Sequence, residues 1–139
     1  MTDPNRFFSS NFNDDRITLN IVWLPDRNDV VLIGFTSSLP DYSIAGYLPA
    51  PQVPLLAEYL FLMKKDAKGA AMRFALSDDL TLIACPSNQG DPYEEGVEIE
   101  IDRGDYNGTS IFISEWRIED LIQAFTKGMP AELCRGKAS

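Results

Sequence analysis

Carboxylates are the one abundant reactive group in this chain, and they are concentrated. Between Asp91 and Asp105 seven acids, Asp91, Glu94, Glu95, Glu98, Glu100, Asp102 and Asp105, accompany a single basic residue, Arg103. Three kinds of chemistry fit such a run. Glu98 and Glu100, two apart on a strand, would set their side chains roughly 6 to 7 Å apart, a spacing compatible with the acid and base of a glycosidase. That work needs one carboxyl desolvated so that its pKa rises, and no aromatic pocket is visible in the sequence around either. A hard cation such as calcium would take oxygens from "DPYEEG" or share Asp102 and Asp105, yet neither segment matches the EF-hand spacing D-x-[DN]-x-[DN]-G. Recognition of a cationic partner is the third: Tyr93 and Tyr106 add rigid contact area with a hydrogen-bonding end to the acids around them. Against all three stands the plain alternative that the acids only solvate the outer face of a sheet. The expected partner-binding residues are Asp91, Tyr93, Glu94, Glu95, Glu98, Glu100, Asp102, Asp105 and Tyr106, with no catalytic residue, metal ligand or cofactor.

The absent residue types narrow the chemistry further. The sequence has no histidine, which removes the usual general base near neutral pH, the partner of Ser and Cys nucleophiles and the commonest transition-metal ligand. No GxxxxGK[ST] segment is present and no GxGxxG opens a helix, so phosphate-cradling loops lack their signature. Cys85 and Cys134 have no metal-type spacing, and Cys85 follows the apolar run "LTLIA", where a thiol behaves as a small hydrophobe. A reducing compartment follows.

Twelve lysines and arginines against 21 aspartates and glutamates leave a net charge of −9 over 139 residues. That balance repels phosphate backbones and anionic lipid surfaces, and it steers encounter with a basic protein. Neither nucleic acid nor membrane is an expected partner. The N-terminus carries no basic start with an apolar run behind it, and no segment reaches the roughly 20 apolar residues of a membrane span. A cytoplasmic protein is the expectation.

The elements that must position the acids follow from periodicity. In "RITLNIVWL" Ile17, Leu19, Ile21 and Trp23 alternate with Thr18, Asn20 and Val22, and "VVLIGFTSS" returns after the turn residues at 25 to 29, so residues 16 to 37 form a hairpin. A short strand over Tyr42 to Leu48 precedes a proline-rich entry into a helix from Pro54. That helix has apolar stripes through Leu56, Leu60 and Met63 and through Leu55, Tyr59 and Leu62, and Gly69 marks its stop. Apolar on so much of its circumference, it must be covered by a sheet or by a second copy of the chain. A second hairpin spans "AAMRFALSDDLTLIACPS". Then Val97, Ile99 and Ile101 alternate with Glu98, Glu100 and Asp102, "DYNG" turns, "TSIFIS" returns, and Ser114 caps a helix whose stripe is Ile118, Leu121, Ile122 and Phe125, closed by Gly128. Trp23 and Trp116 both lie in apolar-periodic contexts and are expected in the core.

The resulting order, β-β-(β)-α-β-β-β-β-α, predicts an α+β fold: a mainly antiparallel sheet of about six to seven strands built from hairpins, with two helices packed on one face. One domain is expected over 1–139, with residues 1–15 as an N-terminal arm that docks at least one phenylalanine ring and 129–139 as a loosely attached tail. In being small, acidic and free of catalytic groups, the chain resembles bacterial immunity proteins and antitoxins; the likeness is one of composition. It implies a non-enzymatic binding protein that occludes a basic partner such as a toxin or effector. A homodimeric secretion-type chaperone, with the helix from Pro54 as its seam and exposed strand edges holding a client, is the alternative reading. A carboxylate-dependent or metal-dependent hydrolase is the second alternative.

Overall fold

The computed structural model describes residues 8–14, 17–24, 27–38, 41–89, 94–104 and 108–129. Strands β1 (Phe8–Asp14), β2 (Ile17–Leu24), β3 (Arg27–Ser38) and β4 (Asp41–Pro49) pair antiparallel in chain order to form one sheet. A 3-10 turn at Ala50–Gln52 leads into helix α1 (Val53–Lys65). Strands β5 (Met72–Ala75), β6 (Thr81–Gln89), β7 (Glu94–Asp102) and β8 (Gly108–Ser114) form a second antiparallel sheet in the same sequential order, and helix α2 (Glu115–Thr126) follows at once. The chain is a four-stranded meander and a helix, made twice.

The class is α+β, as the hairpin pattern predicts, but the expected single sheet of six to seven strands is two sheets of four. β4 ends at Pro49, and Pro51 and Pro54 lie between β4 and β5; proline donates no ladder hydrogen bond and is tolerated in the first turn of a helix, where Pro54 stands. The chain therefore leaves the first sheet through α1, and β4 and β5 belong to different sheets. The extra strand is β1, which occupies much of the expected N-terminal arm. It pairs residue for residue with β2 from Phe8↔Trp23 to Asp14↔Ile17, and Phe12 is its buried ring. The tail from position 130 onward lies outside the described residues.

One apolar core joins both sheets and both helices. Leu19, Ile21 and Trp23 of β2 and Val97, Ile99 and Ile101 of β7 point inward at period two, and Leu56 and Leu60 of α1 and Leu121 and Phe125 of α2 belong to the same buried cluster. The helices pack on each other and on β7. The tight turn between β5 and β6 places Asp78 and Asp79 at φ of 59° and 61°, the left-handed pair a type I′ turn needs, and Asp tolerates it better than most residues. Its Ser77 hydroxyl accepts the Tyr47 N–H at 2.9 Å, which fastens this turn to edge strand β4. Among the described residues no helix is long and apolar enough to cross a membrane.

Trp23 connects the two halves most directly. Fully buried, it donates its indole N–H to the Phe125 carbonyl of α2 at 3.1 Å, across 102 positions of sequence. Gly128 lies against the same ring, where any Cβ would collide with it. Trp23→Phe deletes this donor and part of the volume, so it is expected to destabilise the fold by about 1 to 3 kcal/mol. Urea unfolding followed by circular dichroism measures the change; an unchanged midpoint would show that the indole bond contributes nothing.

Candidate functional site

The acids of β7 owe their placement to its alternation. With Val97, Ile99 and Ile101 buried, Glu98, Glu100 and Asp102 stand on the outer face of the second sheet, half-buried rather than fully exposed. The register supplies the reason. Glu98 lies between Cys85 of β6 and Phe112 of β8, Glu100 between Ile83 and Ser110, and Asp102 between Thr81 and Gly108. Ile83 is itself buried. The face is thus acidic along its middle strand but carries apolar groups on the flanking ones, which the sequence reading of a uniformly acidic strand face does not anticipate. Cys85, expected as a small core hydrophobe, is half-buried on this outer face. Burial and then the charges of Glu98 and Glu100 raise its thiol pKa, so it is held away from the reactive thiolate.

Glu100 is the acid this environment perturbs. Desolvation, then the like charges of Asp102 and Glu98, push its pKa above the ordinary glutamate value, and Arg73 on β5 opposes them. Its side chain also lies over Gly108, where a Cβ would meet the carboxylate. Asp102 is partly committed to the fold: its Oδ1 accepts the Gly104 N–H at 2.8 Å, closing the start of the β7–β8 turn with Gly104 at positive φ. Among the described residues no ion pair reaches Glu94, Glu95, Glu98, Glu100 or Asp102.

Beyond Gly96 the geometry changes. Gly96 pairs with Ser114, where β8 ends, and a Cβ at Gly96 would run into the Ile113 carbonyl oxygen; glycine is what permits this approach. β7 continues through Glu95 and Glu94, paired with Asn88 and Gln89 of β6, while the opposite chain has turned away as α2. The divergence opens a pocket of about 420 Å³ lined, among the described residues, by Glu94, Glu95, Ser114, Glu115 and Trp116. The expected run of acids is therefore divided in two, an outer-face row and a pocket at the start of α2. Asp91, Tyr93, Asp105 and Tyr106 lie outside the described residues.

Two side chains of the pocket differ from expectation. Trp116, expected in the core, is 75% exposed. Its ring centroid lies 6.0 Å from the Arg117 guanidinium, which is also 5.4 Å from the buried ring of Phe12 on β1. Ser114 occupies the N-cap position but makes no capping bond, although its residue is only 7% exposed. Compared with known proteins, the chain matches no protein-family model and no curated sequence.

Sequence reasoning missed Arg73, Trp116 and Glu115 as neighbours of the acids. Arg73 is two strands from Glu100 and no local spacing reveals it. Trp116 and Glu115 were legible in principle, since both stand where a strand gives way to a helix beside the end of the acidic strand.

The raised pKa of Glu100 has a defined consequence for stability. Folding favours its protonated form, so this contribution is fully present below the ordinary glutamate pKa and is lost as pH rises through the folded-state value. Glu100→Gln keeps a neutral side chain throughout, so the variant is expected to match the parent at acidic pH and to exceed it near neutrality. The gain is less than about 1 kcal/mol, because solvent screens a half-exposed group. Thermal melts across that pH range check it; a gain of equal size at both ends would mean that charge is not its origin.

Proposed function

We propose that this protein is a binding protein, not an enzyme, and that it occludes a basic protein partner with the acids of β7, in the manner of immunity proteins and antitoxins. The observation that carries the reading is the state of Glu100. It stands in a row of like charges between Glu98 and Asp102, partly desolvated, with its pKa raised and no ion pair of its own among the described residues. Such a row costs the isolated chain stability. A lysine or arginine from outside would reverse the sign of that term. The net charge of −9 would steer the encounter, and the apolar groups at Ile83 and Phe112 would exclude water from the contact once made.

The expected behaviour is a one-to-one complex with a basic protein that weakens steeply as salt rises. Affinity capture from the native cell, run at low and at high salt, tests it with the parent chain and with the variant Glu98→Gln, Glu100→Gln, Asp102→Asn. The parent should recover the partner at low salt only and the variant should not recover it. Equal recovery by both baits rules out this contact surface.

A second reading, a homodimeric chaperone, draws on α1. Leu55, Phe61 and Leu62 of that helix are about half exposed, and beside them Ala57, Glu58, Phe61 and Ile122 line a groove of about 440 Å³. Exposed large apolar groups on one helix are the material of a subunit seam. If they form one, sedimentation velocity will show a dimer that Leu62→Asp converts to monomer; a parent chain that is monomeric at all concentrations removes this reading.

A further inference from the structure

We propose that the pocket between Glu94, Glu95, Ser114, Glu115 and Trp116 receives an arginine side chain of the partner, its guanidinium lying on the exposed indole and pairing with the carboxylates. The assignment rests on the basic-partner reading and names the group that partner presents at this end of the acidic strand.

Four observations carry it. First, the pocket is lined by three acidic residues and by a tryptophan that is 75% exposed, whereas the chain's other tryptophan is wholly buried. A ring face attracts a cation, and tryptophan does so best. Second, the ring already has a guanidinium from within the chain beside it: Arg117 lies 6.0 Å from its centroid and 5.4 Å from that of Phe12. Third, the Ser114 residue is only 7% exposed and lines the pocket, and its hydroxyl makes no capping bond and no other hydrogen bond among the described residues. A buried hydroxyl without a partner costs free energy, and a hydroxyl oxygen can accept an N–H from an entering group. Fourth, the nearby positive end of α2, equivalent to about half a charge, and the Arg117 guanidinium beside the ring are together outweighed by the three acids, so the pocket favours a cation.

Guanidinium fits this set better than ammonium. It is planar, it stacks on an indole, and its five N–H donors reach carboxylate and hydroxyl oxygens on two sides at once. The flanking Glu94 and Glu95 are held beside α2 because Gly96 allows β7 to run past the end of β8. The pocket is thus built by backbone geometry before any ligand arrives, which reduces the ordering cost of binding.

The experiment is a titration of the ¹⁵N-labelled chain with an acetylated, amidated hexa-arginine peptide at low salt, followed through the two indole N–H resonances. Trp116 should move while buried Trp23 stays still and reports an intact fold. Trp116→Ala, at an exposed position, should weaken the peptide about two- to fivefold, and the triple change Glu94→Gln, Glu95→Gln, Glu115→Gln roughly tenfold. Hexa-lysine should move the Trp116 signal less at equal concentration; an equal movement overturns the assignment of arginine. If the amides of Glu98 to Asp102 move and Trp116 does not, the pocket proposal falls while the basic-partner reading stands. If no resonance moves, both fall.

Discussion

Among the described residues the two meanders share no strand pairing, so everything else in the fold depends on how the shared core joins them. The indole of Trp23 is the sharpest element of that joint. It stands at the end of β2 in the first sheet, reaches the last turn of α2 with a hydrogen bond to Phe125, and leaves room at Gly128 for hydrogen alone. A helix so held at its C-terminal end and continuous with β8 at Ser114 has little freedom in between. Its 12 residues span roughly 18 Å. The position of Trp116 beside Glu94 and Glu95 is therefore fixed from both ends of α2, by the first sheet at one and by the second at the other.

What could be read from the sequence was local. The inward alternation of Leu19, Ile21 and Trp23, or of Val97, Ile99 and Ile101, depends only on each strand's own residues, and the structure has it as expected. The same holds for the stripes through Leu56, Leu60 and Met63 of α1 and through Ile118, Leu121 and Phe125 of α2, whereas Leu55 and Leu62 of the second expected α1 stripe are about half exposed. Sheet membership is different in kind. Successive hairpins are equally consistent with one sheet or two, and the choice was made by the proline-rich exit from β4 and by which surfaces α1 could cover. β1 was hidden because a strand on a sheet's edge needs few apolar residues; Phe12 is buried in it, and Asn11 and Asn13 beside it are exposed.

Trp116 marks a subtler limit. It lies in an apolar-periodic stretch, between Ile113 and Ile118, which invited a place in the core. Yet it precedes Ile118 by two positions, and at about 100° per residue that puts it on the opposite side of the helix from the stripe through Ile118, Leu121 and Phe125. The periodicity that located the helix also excluded Trp116 from its buried face. The acids show the complementary limit: their alternation was legible, but the division into an outer row and a pocket depended on where β8 ends, and hence on Gly96 facing Ser114.

The repetition of the meander supplies a comparison within one molecule. β3 and β7 are each the third strand of four, and their inward residues correspond in type: Val31, Ile33 and Phe35 in one, Val97, Ile99 and Ile101 in the other. Their outward residues do not correspond. β3 turns Leu32, Gly34 and Thr36 where β7 turns Glu98, Glu100 and Asp102. The strand position thus tolerates uncharged side chains, and the acidic row is not something the topology demands. A face serving solubility alone would keep its carboxylates fully hydrated, whereas Glu100 is crowded by Ile83 and pushed toward its protonated form. Acids set among apolar neighbours, at a cost to the chain that carries them, are the arrangement in which an arriving cation gains most, because the attraction acts where water is already partly excluded.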